Sequence, residues 1–329
     1  MKRILNSLFD HQKLSVEQAR EVLIKISKEE YNPAEVASFI TVYLMRGISL
    51  EELKGFRDAL IELAIPLDVR GQSVIDLCGT GGDGKNTFNI STLASFVVAG
   101  AGYKVVKHGN YGVSSVSGSS NVLESLGYSF TNDNDTLLRE LDRSNICFCH
   151  APLFHPALKG VGPIRRQLRV KTFFNMLGPL VNPARPNHQL VGVFNLKIAK
   201  LYKYLFENDA HDYAIVHSLD GYDEVSLTGK TLVLKPEEER LMYPHEFDAR
   251  VLKQEEIFGG DTIEEAVSLF KDIIQNKGTE AQEKVVLANA ALAIQTFDRT
   301  KDILTCQDEA REALKTGAAF QALNNLLKN

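Results

Sequence analysis

The chain has 329 residues, of which 44% are apolar and 24% charged. That balance is globular and excludes a disordered polar chain, and its length exceeds what one hydrophobic core usually supports. The formal net charge of -5 argues against a nucleic-acid binder, which needs a basic excess to neutralise phosphates; a local basic pocket remains compatible with it. Cys78, Cys147, Cys149 and Cys306 lack the tight Cys/His clustering that zinc requires and read as reduced structural thiols. Met1 to Leu14 carries Asp10, His11 and Lys13 in place of the apolar run of a signal peptide. No stretch approaches the ~20 apolar residues of a membrane span, so a soluble cytoplasmic protein is expected.

In chain order, the first 70 residues read as helices. Ser15 with Gln18, Asn32 with Pro33 and Glu35, and Ser49 with Glu52 are helix-start signals, each followed by an apolar face of 3.6-residue period. At Gly71 the pattern changes. Val74 to Cys78 predicts a strand running into a glycine-rich turn, Ser91 to Gly100 a helix, and Tyr103 to Val106 a second strand. This strand–loop–helix–strand unit opens a mainly parallel α/β sheet. Further strands are expected at Ile146–Phe148, Leu190–Phe194, Tyr213–Val216 and Thr231–Leu234. Helices are expected at Ile198–Phe206, Ile263–Gln275, Ala281–Thr296 and Glu309–Lys315. Ile164 to Leu180 reads as helical and irregular. The expected organisation is a small helical domain over 1–70, joined by about 160–185, and an α/β domain over 71–329.

The loop Gly79-Thr80-Gly81-Gly82-Asp83-Gly84 carries most of the chemistry. Glycines after a strand let backbone N–H groups approach an anion. Gly79, Gly81 and Gly84 match the dinucleotide pattern, but no Asp or Glu follows between Lys85 and Lys107 to hold a ribose diol. Gly79, Gly84 and Lys85 nearly match a nucleotide P-loop, but Asn86 stands where a magnesium-binding hydroxyl belongs. Thr87, Asn89, Ser91 and Thr92 gather polar groups where a helix begins, which is an anion site through its free N–H groups and dipole. Lys107-His108-Gly109-Asn110 and the serines Ser114, Ser115, Ser117, Ser119 and Ser120 form a second loop after the next strand. Two such loops at one end of a parallel sheet imply one crevice for a ligand with several phosphates.

Gly79 to Asp83, Asn89 to Thr92, Lys107 to Asn110 and Asn175 to Pro183, together with Asp223-Glu224 inside Ser218 to Ser226, resemble the signature of anthranilate phosphoribosyltransferases. That resemblance implies a helical domain and an α/β domain of the nucleoside phosphorylase/phosphoribosyltransferase kind, usually a homodimer through the helical part. It implies transfer of a phosphoribosyl group from 5-phosphoribosyl 1-diphosphate to anthranilate, in tryptophan biosynthesis. Carried onto this chain, Gly79, Gly82, Asp83, Thr87, Asn89, Ser91, Thr92, Lys107, Gly109 and Ser119 hold the donor. Ser91, Asp223 and Glu224 serve Mg²⁺. His108, Asn110 and Arg165 line the route of anthranilate, with Arg165 opposite its carboxylate. The chain departs from the pattern at Tyr111, where the family usually has Arg, and at Leu158.

Adjacent carboxylates on a strand point to opposite faces, so Asp223 and Glu224 are expected on a turn or on different ions. The aromatic amine is neutral at pH 7 and needs positioning rather than a strong protein base; His155 and His217 read as packed histidines. Two alternatives keep the fold: a nucleoside phosphorylase-like enzyme, and a non-catalytic nucleic-acid-binding relative.

Overall fold

A computed structural model describes residues 1–112, 116–209 and 211–328. The chain forms two compact units, Met1–Pro66 with Ala151–Pro183, and Leu67–His150 with Ala184–Asn329. The first unit opens with α1 (Lys2–Phe9), α2 (Val16–Ser27), α3 (Pro33–Arg46) and α4 (Leu50–Leu63). The chain then builds β1 (Ile75–Gly79), α5 (Ile90–Gly100), β2 (Val105–Gly109), α6 (Ser119–Ser125), α7 (Asn134–Ser144) and β3 (Ile146–His150). It returns to the helical unit for α8 (Ala151–Phe154) and α9 (Val161–Leu168). The α/β unit resumes with β4 (His188–Gly192), α10 (Leu196–Phe206), β5 (Asp212–Ser218), β6 (Thr231–Lys235) and β7 (Glu238–Met242). It closes with α11 (Ile263–Ile274), α12 (Glu280–Phe297), α13 (Ile303–Lys315) and α14 (Ala318–Leu327).

In the helical unit, Ser15, Asn32 and Ser49 each close a complete capping box with Gln18, Glu35 and Glu52. Their apolar faces meet in an aromatic cluster of Phe39, Tyr43, Phe56 and Phe173, with Phe56 and Phe173 stacked at 4.7 Å. Phe173 comes from the returning segment, so the core of this unit needs both pieces of chain. Glu52 is fully buried and takes two guanidinium bonds from Arg46, at 2.5 and 3.1 Å. It also accepts the Leu14 and Ser49 N–H groups. Burial alone would raise its pKa; the Arg46 bonds and these two N–H groups outweigh burial and leave it lowered. Glu52→Ala strands the Arg46 charge, and a loss of about 3–5 kcal/mol in urea unfolding is expected. Because the folded pKa is lowered, this contribution is present above the unfolded value of ~4.3 and fades as pH falls below it.

The sheet of the second unit runs β3-β2-β1-β4-β5-β6-β7. The pairings β3-β2, β2-β1, β1-β4 and β4-β5 are parallel, whereas β6 and β7 are antiparallel additions at one edge. Helix α12 is apolar on nearly all sides, from Val285 to Ile294, and buried accordingly. Several expected bounds move. The second strand begins at Val105 because Gly102 turns the chain with φ +96°, and it extends to Gly109. The fourth lies at His188–Gly192 rather than Leu190–Phe194, paired in register with β1. Helix α13 starts at Ile303, where Asp302 caps it with two backbone bonds. All four cysteines are free, and Cys147, Cys149 and Cys306 are buried. Among the described residues no helix is long and apolar enough to cross a membrane.

Candidate active site

Parallel pairing puts the C-terminal ends of β1 to β4 on one edge of the sheet. The chain leaves β1 through Gly79 and turns with Gly81, Gly82 and Gly84 at φ +62°, +77° and +76°. Glycine adopts this left-handed region without the Cβ penalty. The loop closes around an acidic residue from far along the chain. The Gly81 N–H donates to Asp223 Oδ2 at 2.7 Å, and a Cβ on Gly79 would overlap the same oxygen. Gly192, at the end of β4, leaves space for the Asp223 carbonyl, and its own carbonyl accepts the Thr80 N–H at 2.9 Å.

Asp223 and Glu224 lie in the loop between β5 and β6. The Thr87 hydroxyl is 3.5 Å from Glu224 Oε2, and the Ser91 N–H also bonds Glu224. The carboxyls of Asp83 and Asp223 are in hydrogen-bond contact, and the Lys85 N–H donates to Asp83 Oδ1 at 3.0 Å. Three acids therefore crowd one corner. Burial and the charge of Asp83 push Asp223 up to about 7, and loss of solvent with the charges of Asp223 and Asp83 raises Glu224. A small cavity at this corner is lined by Ser91, Gly192, Asp223, Glu224 and Asn289.

Helix α5 begins here. Asn89 stands at its N-cap position but turns its amide to the Ser117 carbonyl (3.1 Å), tying the first loop to the second. Ser91 and buried Thr92 occupy the first turn. Lys107 and His108 are part of β2 rather than of the loop beyond it. Lys107 is 2% exposed and donates to the Leu77 carbonyl at 2.5 Å, with the Ser91 hydroxyl 3.4 Å away. The His108 N–H donates to Asp76 Oδ1 at 3.2 Å. Gly109 ends β2 where a Cβ would overlap Ser119 Oγ, and the Asn110 carbonyl accepts the Ser120 N–H at 3.2 Å. Ser114 and Ser115 lie outside the described residues. Arg165 belongs to the helical unit, on α9. There its guanidinium covers the Phe174 ring at 5.3 Å and donates to Asn175 Oδ1 at 3.3 Å. Among the described residues no carboxylate pairs with it.

The corner thus offers backbone N–H groups, a helix N-terminus and an acidic group within one unit, which suits a polyphosphate carrying a divalent cation. Residues 2–64 match the helical bundle domain of a glycosyl transferase family, and residues 71–320 match its a/b domain. The chain is 55% identical to the anthranilate phosphoribosyltransferase of Flavobacterium johnsoniae, over 99% of this chain and 98% of that one. The chain belongs to the anthranilate phosphoribosyltransferase family. Its relative from Bacteroides fragilis is 51% identical over 100% and 99% of the two chains. The crystal structure of the Thermus thermophilus family member superposes with a TM-score of 0.91 at 30% identity, over 98% of each chain. The Saccharomyces cerevisiae member, solved in complex with PRPP and Mg, has a TM-score of 0.91 at 25% identity, over 98% of this chain and 95% of that one.

In this family member two positioning residues escaped the sequence reading. Gly192 lets the acidic loop lie against β4. Asn289, buried on α12, clasps Val225 with both its amide groups, accepting the Val225 N–H at 3.1 Å and donating to its carbonyl at 3.0 Å. A lone Asn within the apolar run Val285 to Ile294 was the available signal, since a buried amide demands partners.

Proposed function

We propose that this enzyme transfers the phosphoribosyl group of 5-phosphoribosyl 1-diphosphate to the amine of anthranilate. The products are N-(5-phosphoribosyl)anthranilate and diphosphate, and the step belongs to tryptophan biosynthesis. The observation that carries this reading is the seating of Asp223 and Glu224 against the glycine loop and the first turn of α5. The loop Gly79 to Asp83, with Thr87, Asn89, Ser91 and Thr92, takes the donor's diphosphate. Lys107 stays beneath the loop, where its buried charge favours polyanion binding. Gly109, Asn110 and Ser119 complete the donor site from the second loop.

The acidic corner fits Mg²⁺. Burial and mutual repulsion push the Asp223 and Glu224 carboxyls toward the protonated form, which a divalent cation reverses. Among the described residues no group of three or more His, Cys, Asp or Glu side chains forms a self-sufficient metal site. Mg²⁺ does not need one, since it takes one or two carboxylates and completes its shell with phosphates and water. Ser91, Asp223 and Glu224 would hold it, and when bound it would neutralise charge on the departing diphosphate. The protein holds the anomeric carbon and the neutral amine in line, so attack inverts that carbon without a strong protein base. His108, Asn110 and Arg165 orient anthranilate, and Arg165 takes its carboxylate.

Each compact unit serves as a domain in this reading. The helical one carries exposed Phe9, Leu44 and Met45 (57%, 44% and 85% exposed), which supports a homodimer formed through it. Four free cysteines suit a reducing cytoplasm. The test is turnover of the donor and anthranilate with Mg²⁺, followed by loss of anthranilate fluorescence. Turnover only with phosphate and a nucleoside would overturn it. In that assay Arg165→Ala is expected to raise the anthranilate KM at least about tenfold, through loss of a charged hydrogen bond. An unchanged KM would remove Arg165 from the acceptor site.

A further inference from the structure

The glycine loop ends in a lysine that the roles above leave unused. Lys85 follows Gly84 directly, where a P-loop carries the lysine that reaches a nucleotide's terminal phosphates. Its N–H is committed to Asp83 Oδ1 at 3.0 Å, but its ammonium has no carboxylate partner among the described residues. Instead Nζ rests over the Tyr222 ring, 4.6 Å from the centroid. Tyr222 is 2% exposed and immediately precedes Asp223-Glu224. Its hydroxyl is buried without a hydrogen-bond partner. The turn that presents the ring is closed by the Ser218 N–H donating to the Tyr222 carbonyl at 3.1 Å and the Gly221 N–H to the Ser218 carbonyl at 2.8 Å. The ring is therefore a fixed platform, and the lysine a long side chain lying on it beside the acidic corner.

We propose that Lys85 is a donor-binding residue, resting on Tyr222 in the free enzyme and moving onto the diphosphate oxygens of the bound donor. This inference rests on the phosphoribosyl-transfer reading above. A ring quadrupole attracts an ammonium far less than a diphosphate does. The lysine has four rotatable side-chain bonds, and its Cα is anchored in the loop assigned to the same ligand. Three acids and one buried lysine meet the diphosphate at this corner, so a second, mobile cation adds attraction where charge accumulates as the glycosidic bond breaks. The platform keeps the ammonium from collapsing onto Asp83 or Asp223, either of which would withdraw it from substrate.

The test compares the full-length parent with Lys85→Met and Lys85→Arg. Lys85→Met is expected to raise the donor KM about tenfold, the scale of one charged hydrogen bond. Binding of diphosphate with Mg²⁺, followed by calorimetry, should weaken by a similar factor, while the anthranilate KM stays at the parental value. Lys85→Arg should restore most of both. A Lys85→Met variant with the parent's donor KM and diphosphate affinity would overturn the role of Lys85 and leave phosphoribosyl transfer standing. A parent that neither turns over the donor nor binds diphosphate would overturn both. Equal loss toward donor and anthranilate would show a loop-folding role and would also overturn the proposal.

Discussion

Changing Asp223 to Asn together with Glu224 to Gln is expected to lower kcat/KM for the diphosphate donor by at least about a thousandfold, since each carboxylate acts on charge that develops in the transition state. The fold should survive. The amide that replaces the Asp223 carboxyl keeps an oxygen for the Gly81 N–H, which now donates to Asp223 Oδ2 at 2.7 Å. The substitutions also remove the repulsion that, added to burial, raises Asp223 and Glu224, whereas Asp83 is raised by burial. The melting temperature without Mg²⁺ is therefore expected to equal or exceed that of the parent. The parent should gain stability from Mg²⁺ with diphosphate, by linkage to binding, and the double variant should not. Parental turnover in the double variant would remove the acid pair from the reaction. A collapse of the metal-free melting temperature would show instead that the pair holds the loop together.

What was legible in the sequence was mostly local. A capping box spans four residues, so Ser15, Asn32 and Ser49 announced their helices within one turn. The glycine loop was equally local, and both failed motif matches could be read from single positions, Asn86 and the acid-free run after Lys85. Several other elements were missed. Strand β7 is Glu-Glu-Arg-Leu-Met, mostly exposed at the sheet edge, where charge is protective and the alternating apolar pattern is absent. Helix α14 begins after Gly317 in the left-handed region with no side-chain cap, so nothing beyond Lys315 announced a new helix. Helix α7 buries Leu137, Leu138 and Leu141 behind a charged face that reads as a surface loop. The site was legible as parts but not as an assembly. Asp223 meets Gly81 across 142 residues, and no local period encodes that meeting. Lys107 reads as a loop cation because it precedes His-Gly-Asn, whereas pairing with β3 in register carries the strand through to Gly109 and buries the lysine.

Gly192→Ala should be the most damaging single methyl group in the α/β unit, because it joins the sheet to the acidic corner. A Cβ at this position would overlap the carbonyl oxygen of Asp223, and its nearest neighbours are all Asp223 backbone atoms. Backbone cannot rotate away as a side chain can, so either β4 or the Asp223 segment must shift. Strand β4 is held in register on both sides, by β1 and β5. The Asp223 side is held by Gly81 and, two residues on, by Asn289 clasping Val225. With both sides fixed, the overlap is expected to cost roughly 3 kcal/mol, the upper part of the range for overpacking. A shift of about 1 Å in a reacting constellation can cost about a hundredfold in rate, so kcat should fall by that order even where the variant remains folded. Gly229→Ala, in the loop that carries Asp223, is the control, since its nearest neighbour would be the Asp220 carboxylate at 3.8 Å. It should stay within about 0.5 kcal/mol of the parent and keep full turnover. Equal behaviour of the two variants in urea unfolding and in kcat would mean that the acid pair is positioned by the glycine loop alone, and that β4 is only a neighbour.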